Sequence, residues 1–248
     1  MLKPFYTNSE MESLFRSRNL EYDSPYSLDQ LIEKTKDLNN LDIKFPSIDE
    51  QIETNSSLNI AVIGNSGKLL KQEYGQLIDS HDIIIRCNLA RTQGYEKFVG
   101  TKTNFRVIAG KSFWRDLSQN FSAYNKDFLI NLENEHFLIK AEPLYNAIQG
   151  VIKNYNTKSK ISYIRQEFIN NIEQRTNIQD ISVGLTAIEL AMQWSDKVSI
   201  FGFGFFEEDW GSRHYFESIK PYQIGHNPTH EKKYINSLLE RRIIKNIK

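Results

Sequence analysis

Apolar positions divide the chain into a polar beginning and a long body of alternating elements. Residues 1–57 are mostly polar, contain three prolines and read as a partly helical lead-in, with a short helix expected over residues 27–38. At Leu58 the run LNIAVIG is continuously apolar and ends in glycine, a pattern typical of a strand buried on both faces of a parallel sheet. We therefore place a boundary between this lead-in and a main domain over residues 58–248.

Further apolar runs predict the rest of a sheet. Strands are expected at HDIIIRCN (81–88), TNFRVIAG (103–110), DFLINL (127–132), HFLIK (136–140) and KVSIFGFGF (197–205). Helices are expected from Lys68, over much of residues 144–175, at GLTAIELAMQWS (184–195) and, amphipathic and basic, from Glu231 to Lys248. Strands that alternate with helices predict an α/β domain whose mostly parallel central sheet is flanked by helices.

Composition and charge narrow the class of protein. Thirty-one basic residues balance thirty-one acidic ones, so no overall field favours a nucleic-acid partner. Cys87 is the single cysteine, which excludes an intramolecular disulfide and favours a reducing compartment. No apolar run reaches the roughly 20 residues that span a bilayer, and the first residues lack the apolar core of a secretory signal. A cytoplasmic enzyme is therefore expected.

The first candidate for chemistry is AVIGNSG, Ala61 to Gly67. A strand, a glycine-containing turn and the start of a helix place backbone N–H groups and the positive end of a helix beside any bound phosphate. The segment is neither a Walker loop nor a G-x-G-x-x-G fingerprint. Taken alone, it leaves a nucleotide site and a plain tight turn both open.

A polar pair, Arg86 and Asn88, ends the next apolar strand. Such a pair contributes little to a core, and asparagine offers both a donor and an acceptor to a pyrimidine edge or a ribose. Parallel sheets bind ligands at the carboxyl ends of their strands, where this pair is expected. His81, which precedes the strand, is interpreted as a structural histidine.

Three of the five histidines fall within seventeen residues: His214, His226 and His230. Histidine is the side chain that exchanges a proton near neutral pH, which makes this cluster a candidate for acid–base chemistry. His226 and His230 have the spacing of a metal pair on a helix, but Pro228 between them argues against a continuous helix there. The chain also lacks a D-x-D motif, so no metal is expected.

Together these segments resemble the four sialylmotifs of the animal-type sialyltransferases. Residues 61–104 resemble the large motif and residues 180–204 the small motif. HYFE, beginning at His214, is similar to the third motif. His226 and Glu231, with four residues between them, match the very small motif. All four occur in the order of the family, and the chain looks like a soluble, bacterial-style member.

The resemblance implies a single GT-A-like Rossmann domain, a donor activated by CMP, inversion at the anomeric carbon, and neither a metal nor a cofactor, since the CMP-sugar is a co-substrate. Carried over position by position, it implies donor-binding roles for Asn65, Ser66, Gly67, Asn88, Ser182, Gly184 and Gly204. His214 would stabilise the leaving phosphate and His226 would be the general base. Glu231 would orient His226 or cap the following helix.

Departures from the family pattern are informative. The cysteines of the large and small motifs are replaced by Ile60 and Ser195, as expected of an enzyme in a reducing cytoplasm. Val183 replaces a threonine of the small motif, which removes one hydroxyl contact to the donor. Where the family has Tyr-Pro-Glu-Ser after the large motif, this chain has AGKS, and Lys111 would replace the phosphate-contacting tyrosine.

Three functions remain open. The leading one is transfer of sialic acid from CMP-sialic acid to a hydroxyl of a glycan or glycolipid acceptor. CMP-Kdo would serve the same mechanism, and a non-catalytic nucleotide-binding module is the alternative of another class. The basic C-terminal segment could rest on the anionic inner face of a membrane, although a solvated helix face is the commoner explanation.

Overall fold

The computed structural model describes residues 4–5, 58–109, 135–140, 160–205, 214–216 and 227–247. Contacts group the chain into two compact units, each described here by itself. The smaller comprises Met1–Lys44 and Ile108–Phe168, and the larger comprises Phe45–Val107 and Ile169–Lys248. All the described candidate residues belong to the larger unit.

Seven strands and five α-helices make up the described elements. The strands are β1 (Asn59–Ile63), β2 (Ile83–Cys87), β3 (Phe105–Ala109), β4 (His136–Lys140), β5 (Lys160–Tyr163), β6 (Lys197–Phe201) and β7 (Ile244–Asn246). The helices are α1 (Gly75–Asp79), α2 (Glu96–Val99), α3 (Gln166–Thr176), α4 (Val183–Trp194) and α5 (Pro228–Glu240). A 3₁₀ helix, Gly67–Lys71, follows β1.

The larger unit is organised around a parallel sheet in the order β3-β2-β1-β6-β7. At its centre, Ile60 of β1 is in register with Ile83 of β2 and Val198 of β6. Every residue of β2 is buried, which explains why its sequence is continuously apolar rather than alternating. The order reverses at β1, so the loops after β2, β1 and β6 meet at one edge of the sheet.

Helix α4 packs on β1, β2 and β6. It begins where the Ser182 hydroxyl accepts a hydrogen bond from the N–H of Leu185, an N-cap that satisfies one of the donors of the first turn. It ends before Ser195, whose extended backbone stops the helical repeat. Since most of α4 is buried, the helix has little polar face.

In the smaller unit, β4 and β5 run parallel, with His136 in register with Lys160. Phe5 forms an isolated antiparallel bridge with Ile164, and the Arg165 Nε donates to the Phe5 carbonyl at 2.7 Å. These bonds tie the beginning of the chain to the residue that follows β5.

The predicted α/β class, with a mostly parallel sheet, is confirmed. Strands are found within the runs expected at 81–88, 103–110, 136–140 and 197–205, and a helix within 184–195. The helix expected from Lys68 is instead the short 3₁₀ helix, followed by α1. The helix expected over 144–175 was wrong in part, because residues 160–163 form β5 and pair with β4.

The C-terminal segment is not one helix to Lys248. Helix α5 stops at Glu240; Arg242 adopts a left-handed backbone with φ 58°, and the Ile243 N–H donates to Leu238 O at 2.9 Å. This closure satisfies a helix carbonyl and redirects the chain, and Ile244 then pairs with Val198. None of the helices in the described part of the chain combines the length and apolar character needed to cross a membrane.

Several expectations lie outside the described residues. They are the helix at 27–38, the strand at 127–132, Lys111 and His226. The boundary at residue 58 also stays a prediction, because residues 6–57 are not described.

Candidate functional site

The loops that follow β1 and β6 interlock. The Gly64 N–H donates to Phe201 O at 2.8 Å, and the Ser66 N–H donates to Gly202 O at 3.0 Å. A Cβ on Gly204 would overlap the Ser66 hydroxyl, so only glycine permits this approach. Two N–H groups of the AVIGNSG loop therefore already donate to protein carbonyls. The helix that follows is only a short 3₁₀ helix, so the helix terminus contributes less to phosphate binding than the sequence suggested.

Asn65 lies at the centre of this edge. Its Nδ2 donates to the carbonyl of Cys87 at 3.2 Å, which joins the loop after β1 to the end of β2. Its Oδ1 is buried and has no hydrogen-bond partner among the described residues. Buried side-chain acceptors are nearly always paired, so this oxygen is a candidate for accepting a hydrogen bond from a ligand.

Asn88 adopts a left-handed backbone with φ 53° immediately after β2. Its N–H donates to Val107 O at 2.8 Å and its carbonyl accepts from Arg106 Nη1 at 3.0 Å. Asparagine tolerates this conformation better than most residues. The backbone of Asn88 is thus held on both sides, next to the carbonyl that Asn65 contacts.

The start of α4 is held from α5. Both oxygens of the Glu231 carboxylate accept from Ser182, one from its N–H and one from its hydroxyl, each at 2.6 Å. The α5 cap is instead Asn227, whose side chain accepts from the His230 N–H. Two residues after Ser182, Gly184 faces the ring of Phe203, which lies 3.0 Å from where a Cβ would be.

Tyr215 joins the segment 214–216 to two of these loops. Its N–H donates to Asn65 O at 2.9 Å and its hydroxyl donates to Arg91 O at 2.6 Å. Burial raises the pKa of the Tyr215 phenol to about 12, so the hydroxyl keeps its proton at neutral pH. His214 is therefore adjacent in sequence to a residue fixed on the Asn65 loop, and its ring stacks on Phe216 with centroids 5.4 Å apart.

The structure therefore gathers most of the predicted residues. Asn65, Ser66, Gly67, Asn88, Gly204, Ser182, Gly184 and His214 lie on segments linked by the contacts above. Lys111 and His226 lie outside the described residues. Within the described ranges, no three His, Cys, Asp or Glu side chains are grouped closely enough to hold a metal ion.

Two buried arginines, Arg86 and Arg106, lie elsewhere than the sequence suggested. Arg86, expected at the site, is 1% exposed, and its Nη2 donates to the carbonyls of Val99 and Lys102, inside the unit. Arg106, which sequence reasoning passed over, is equally buried and reaches Asn88. The available signal was a charged residue in the middle of the apolar strand FRVIA.

Comparison with known proteins places the chain in a family and shows a shared fold. A sequence profile described as glycosyltransferase family 29 (sialyltransferase) matches residues 5–243. The chain belongs to glycosyltransferase family 29. A crystal structure of a mammalian sialyltransferase superposes with a TM-score of 0.68 at 22% identity and covers 100% of this chain and 90% of the other, which shows that the fold is shared.

The curated relatives that the chain matches carry different names. The chain is 32% identical over 168 residues to the human CMP-N-acetylneuraminate-β-galactosamide-α-2,3-sialyltransferase 1, covering 65% of this chain and 48% of that protein. It is 29% identical over 170 residues to the β-1,6-galactosyltransferase GALT29A of Arabidopsis thaliana, covering 59% of this chain and 42% of that protein. The chain thus spans about half the length of the curated relatives it matches.

Proposed function

We propose that this family 29 chain transfers sialic acid from CMP-sialic acid to a hydroxyl of a glycan acceptor, with inversion and without a metal ion. The observation that carries the proposal is the buried Oδ1 of Asn65, an acceptor without a partner among the described residues. It lies where the loops after β1, β2 and β6 meet, the position at which parallel α/β sheets bind nucleotides. An amine or hydroxyl of the CMP moiety would complete its hydrogen bonding.

The proposed donor site surrounds that oxygen. Asn65 and Ser66, with Gly67, would hold the phosphate and ribose, and Asn88 would contact the CMP moiety from the loop after β2. Ser182, Gly184 and Gly204 would line the cytidine side. The Ser182 hydroxyl already donates to Glu231 and accepts from Leu185, so its remaining lone pair is what it can offer a nucleotide.

The reaction is one displacement at the anomeric carbon of the donor. The acceptor oxygen forms the new glycosidic bond as its proton passes to a neutral His226. The bond from the anomeric carbon to the phosphate oxygen breaks, and its electron pair leaves with CMP. A protonated His214 would stabilise the leaving phosphate by a charge-assisted hydrogen bond, with Lys111 as a second cation.

Relatives support a nucleotide-sugar donor more strongly than a particular sugar. The human relative is named for N-acetylneuraminate transfer and the Arabidopsis relative for galactose transfer, at similar identity. CMP-Kdo, another acidic 2-keto sugar with the same leaving group, is the alternative donor. A non-catalytic nucleotide-binding module is the third candidate, and it would have no use for a histidine pair.

A donor panel tests the proposal. The purified chain is incubated with CMP-Neu5Ac, CMP-Kdo or UDP-galactose, with and without a mixture of galactose-terminated acceptors, and released nucleotide and glycan products are quantified. We expect CMP release from CMP-Neu5Ac and an acceptor-dependent product of inverted configuration. Release of CMP from CMP-Kdo alone would identify Kdo, and not sialic acid, as the transferred sugar. Tight CMP binding without turnover of any donor would favour the binding module.

A second experiment uses a chelator to test whether transfer needs a metal ion. Transfer measured in excess EDTA should equal the untreated rate, because charge on the leaving phosphate is offset by side chains. Loss of activity that added Mg²⁺ restores would contradict the metal-free mechanism.

Location and membrane contact belong to the same proposal. Lys233, Arg241, Arg242 and Lys245 are exposed on and after α5, and could approach an anionic surface that carries lipid-linked acceptors. Co-sedimentation with anionic but not neutral vesicles would support a peripheral site at the inner face of the membrane. Equal recovery in the supernatant with both would favour a solvated helix face. A cytoplasmic location is supported by Ile60 and Ser195, which stand where the family has cysteines.

A further inference from the structure

Arg86 and Arg106 occupy matched positions in the sheet but have different partners. They are in register on the adjacent strands β2 and β3, and each is 1% exposed. Arg86 donates to the carbonyls of Val99 and Lys102 and to the hydroxyl of Thr103. Arg106 Nη1 donates to the carbonyls of Asn88 at 3.0 Å and Ala90 at 2.8 Å. The pair therefore offers a natural comparison between two buried cations.

A buried guanidinium is a costly way to stabilise a fold, because its charge must be removed from water. Its planar fork of donors can, however, hold acceptors in fixed directions. Arg106 holds two carbonyls of the same short loop, and one of them belongs to a residue in the left-handed conformation. Through these two hydrogen bonds it constrains the backbone of the Asn88 loop.

Neighbouring carbonyls of that loop are held as well. The carbonyl of Cys87 accepts from Asn65 Nδ2, and that of Arg91 accepts from the Tyr215 hydroxyl. Four carbonyls from residue 87 to residue 91 thus accept from side chains on three other segments. Of the three contributing side chains, Arg106 alone lies on a strand, and a strand is a more rigid support than a loop.

We propose that Arg106 is a positioning residue for the donor nucleotide, acting through Asn88. By fixing the carbonyls of Asn88 and Ala90, it holds the loop in the conformation that presents Asn88 to the CMP moiety. The inference rests on the proposed function, in which Asn88 contacts CMP. It predicts that Arg106 affects nucleotide affinity separately from stability, whereas Arg86 affects stability alone.

The test compares Arg106→Lys with Arg86→Lys. Both variants keep the buried charge, and a lysine lacks the planar fork that reaches two carbonyls in fixed directions. The dissociation constant for CMP is measured by calorimetry, and folding by thermal unfolding, at a temperature where every variant is folded. Arg106→Lys should weaken CMP binding about tenfold, as expected for losing a charged hydrogen bond that positions a contact. Arg86→Lys should bind CMP within about twofold of wild type.

A double-mutant cycle shows whether Arg106 acts through Asn88. Asn88→Gly removes the amide and tolerates the left-handed backbone. If Arg106 works only by placing that amide, Arg106→Lys should add little to the loss already caused by Asn88→Gly. Arg106→Met and Arg86→Met form a second matched pair, with the same expected contrast in CMP affinity.

The outcomes separate the two proposals. Wild-type protein that binds no CMP would overturn the proposed function itself. Wild-type binding with unchanged affinity in Arg106→Lys, or an equal loss in the two lysine variants, would overturn the role of Arg106 alone. Losses that add in full in the double variant would show that Arg106 does not act through Asn88.

Discussion

The carboxylate of Glu231 accepts hydrogen bonds from both the N–H and the hydroxyl of Ser182, each at 2.6 Å, although the two residues are forty-nine positions apart in the chain. Glu231 lies in the first turn of α5 and Ser182 is the N-cap of α4. The contact therefore fixes the start of one helix on the start of another. His226, the proposed base, lies two positions before the first residue of α5. The contact therefore joins α4, which begins at the proposed donor site, to the helix that follows the proposed base in sequence.

Glu231→Ala should destabilise the protein and weaken CMP binding. Hydrogen bonds to a charged group contribute roughly 1.5–3 kcal/mol, and the Ser182 N–H would lose its acceptor. Glu231→Gln should retain part of the stability and part of the CMP affinity, because its amide keeps one oxygen that can accept a hydrogen bond. Urea unfolding and calorimetric titration with CMP measure the two effects. Glu240→Gln, at the exposed end of α5, is the matched control and should change neither. A Glu231→Ala variant as stable as wild type would show that the contact is dispensable.

Gly204→Ala should impair the donor site through Ser66. The added methyl would overlap the Ser66 hydroxyl, so one of the two interlocked loops must shift. Gly94→Ala is the control: at φ 84° it has a backbone cost of about 1–2 kcal/mol, but apart from Gly94 and its chain neighbours no atom of the described residues lies within 4 Å of the new methyl. We expect both variants to unfold at lower urea, and Gly204→Ala alone to lose CMP affinity. Unchanged affinity in Gly204→Ala would contradict the interlocking.

A buried carboxylate, Glu189, links three helices. It accepts from Arg175 Nη2 at 2.6 Å and from the Tyr234 hydroxyl at 2.8 Å, while its own side chain is 2% exposed. Tyr234→Phe removes one hydrogen bond to this charged group and should cost roughly 1.5 kcal/mol in the free energy of unfolding, whereas Glu189→Ala removes the bonds from both Tyr234 and Arg175 and should cost roughly 3 kcal/mol. Glu73→Gln, which breaks the exposed pair of Glu73 with Lys97, should cost almost nothing. Equal effects for the two acidic residues would refute the importance of burial.

Stability should fall as pH rises from about 9 to about 12. Burial raises the pKa of the Cys87 thiol from 9.0 to about 12 and that of the Tyr215 phenol from 10.0 to about 12. In this window the folded chain keeps protons that the unfolded chain has released, so each group lowers the free energy of unfolding by up to ~1.4 kcal/mol per pH unit. Between pH 9 and 10 the thiol contributes more to this loss of stability than the phenol, because its pKa in the unfolded chain is lower. Urea unfolding of Cys87→Ala should show a shallower decline there than wild type, and an identical slope would contradict the buried thiol.

His226→Ala should abolish transfer and leave CMP affinity nearly unchanged. The proposed base acts on the acceptor hydroxyl and not on the nucleotide, so its removal should appear in kcat. His230→Ala, four residues away and exposed, is the control and should retain activity. Turnover equal to wild type in His226→Ala would remove it as the base.

The sequence predicted the strands and loops around the candidate site more readily than the hydrogen bonds that hold those loops. Continuous apolar runs identified β1, β2, β3, β4 and β6, because strands buried on both faces exclude polar residues. The AVIGNSG loop and Asn88 follow two of these strands directly, so their place at the sheet edge was predictable. Arg106 was missed because its partners lie sixteen and eighteen residues away, across the sheet register.

Local pattern also misjudged where elements end. The C-terminal segment has apolar and basic residues at helical spacing, yet the chain turns at Arg242 and Ile244 joins β6. Pairing with an exposed strand edge outweighs weak helix propensity over a few residues, and the register of that pairing is a property of the whole sheet. The same reason explains β5, whose partner β4 is contributed by another part of the chain.

By itself the sequence determined the fold class, the family and the segments proposed to form the donor site, since these depend on residue types and on order along the chain. Tertiary structure decided which polar groups are already occupied: Ser182 by Glu231, the Asn88 carbonyl by Arg106, the Ser66 N–H by Gly202. It also decided that one buried acceptor, the Oδ1 of Asn65, has no hydrogen-bond partner among the described residues. Hydrogen-bond partners distant in sequence meet only when the chain packs, so no pattern of residues could assign them.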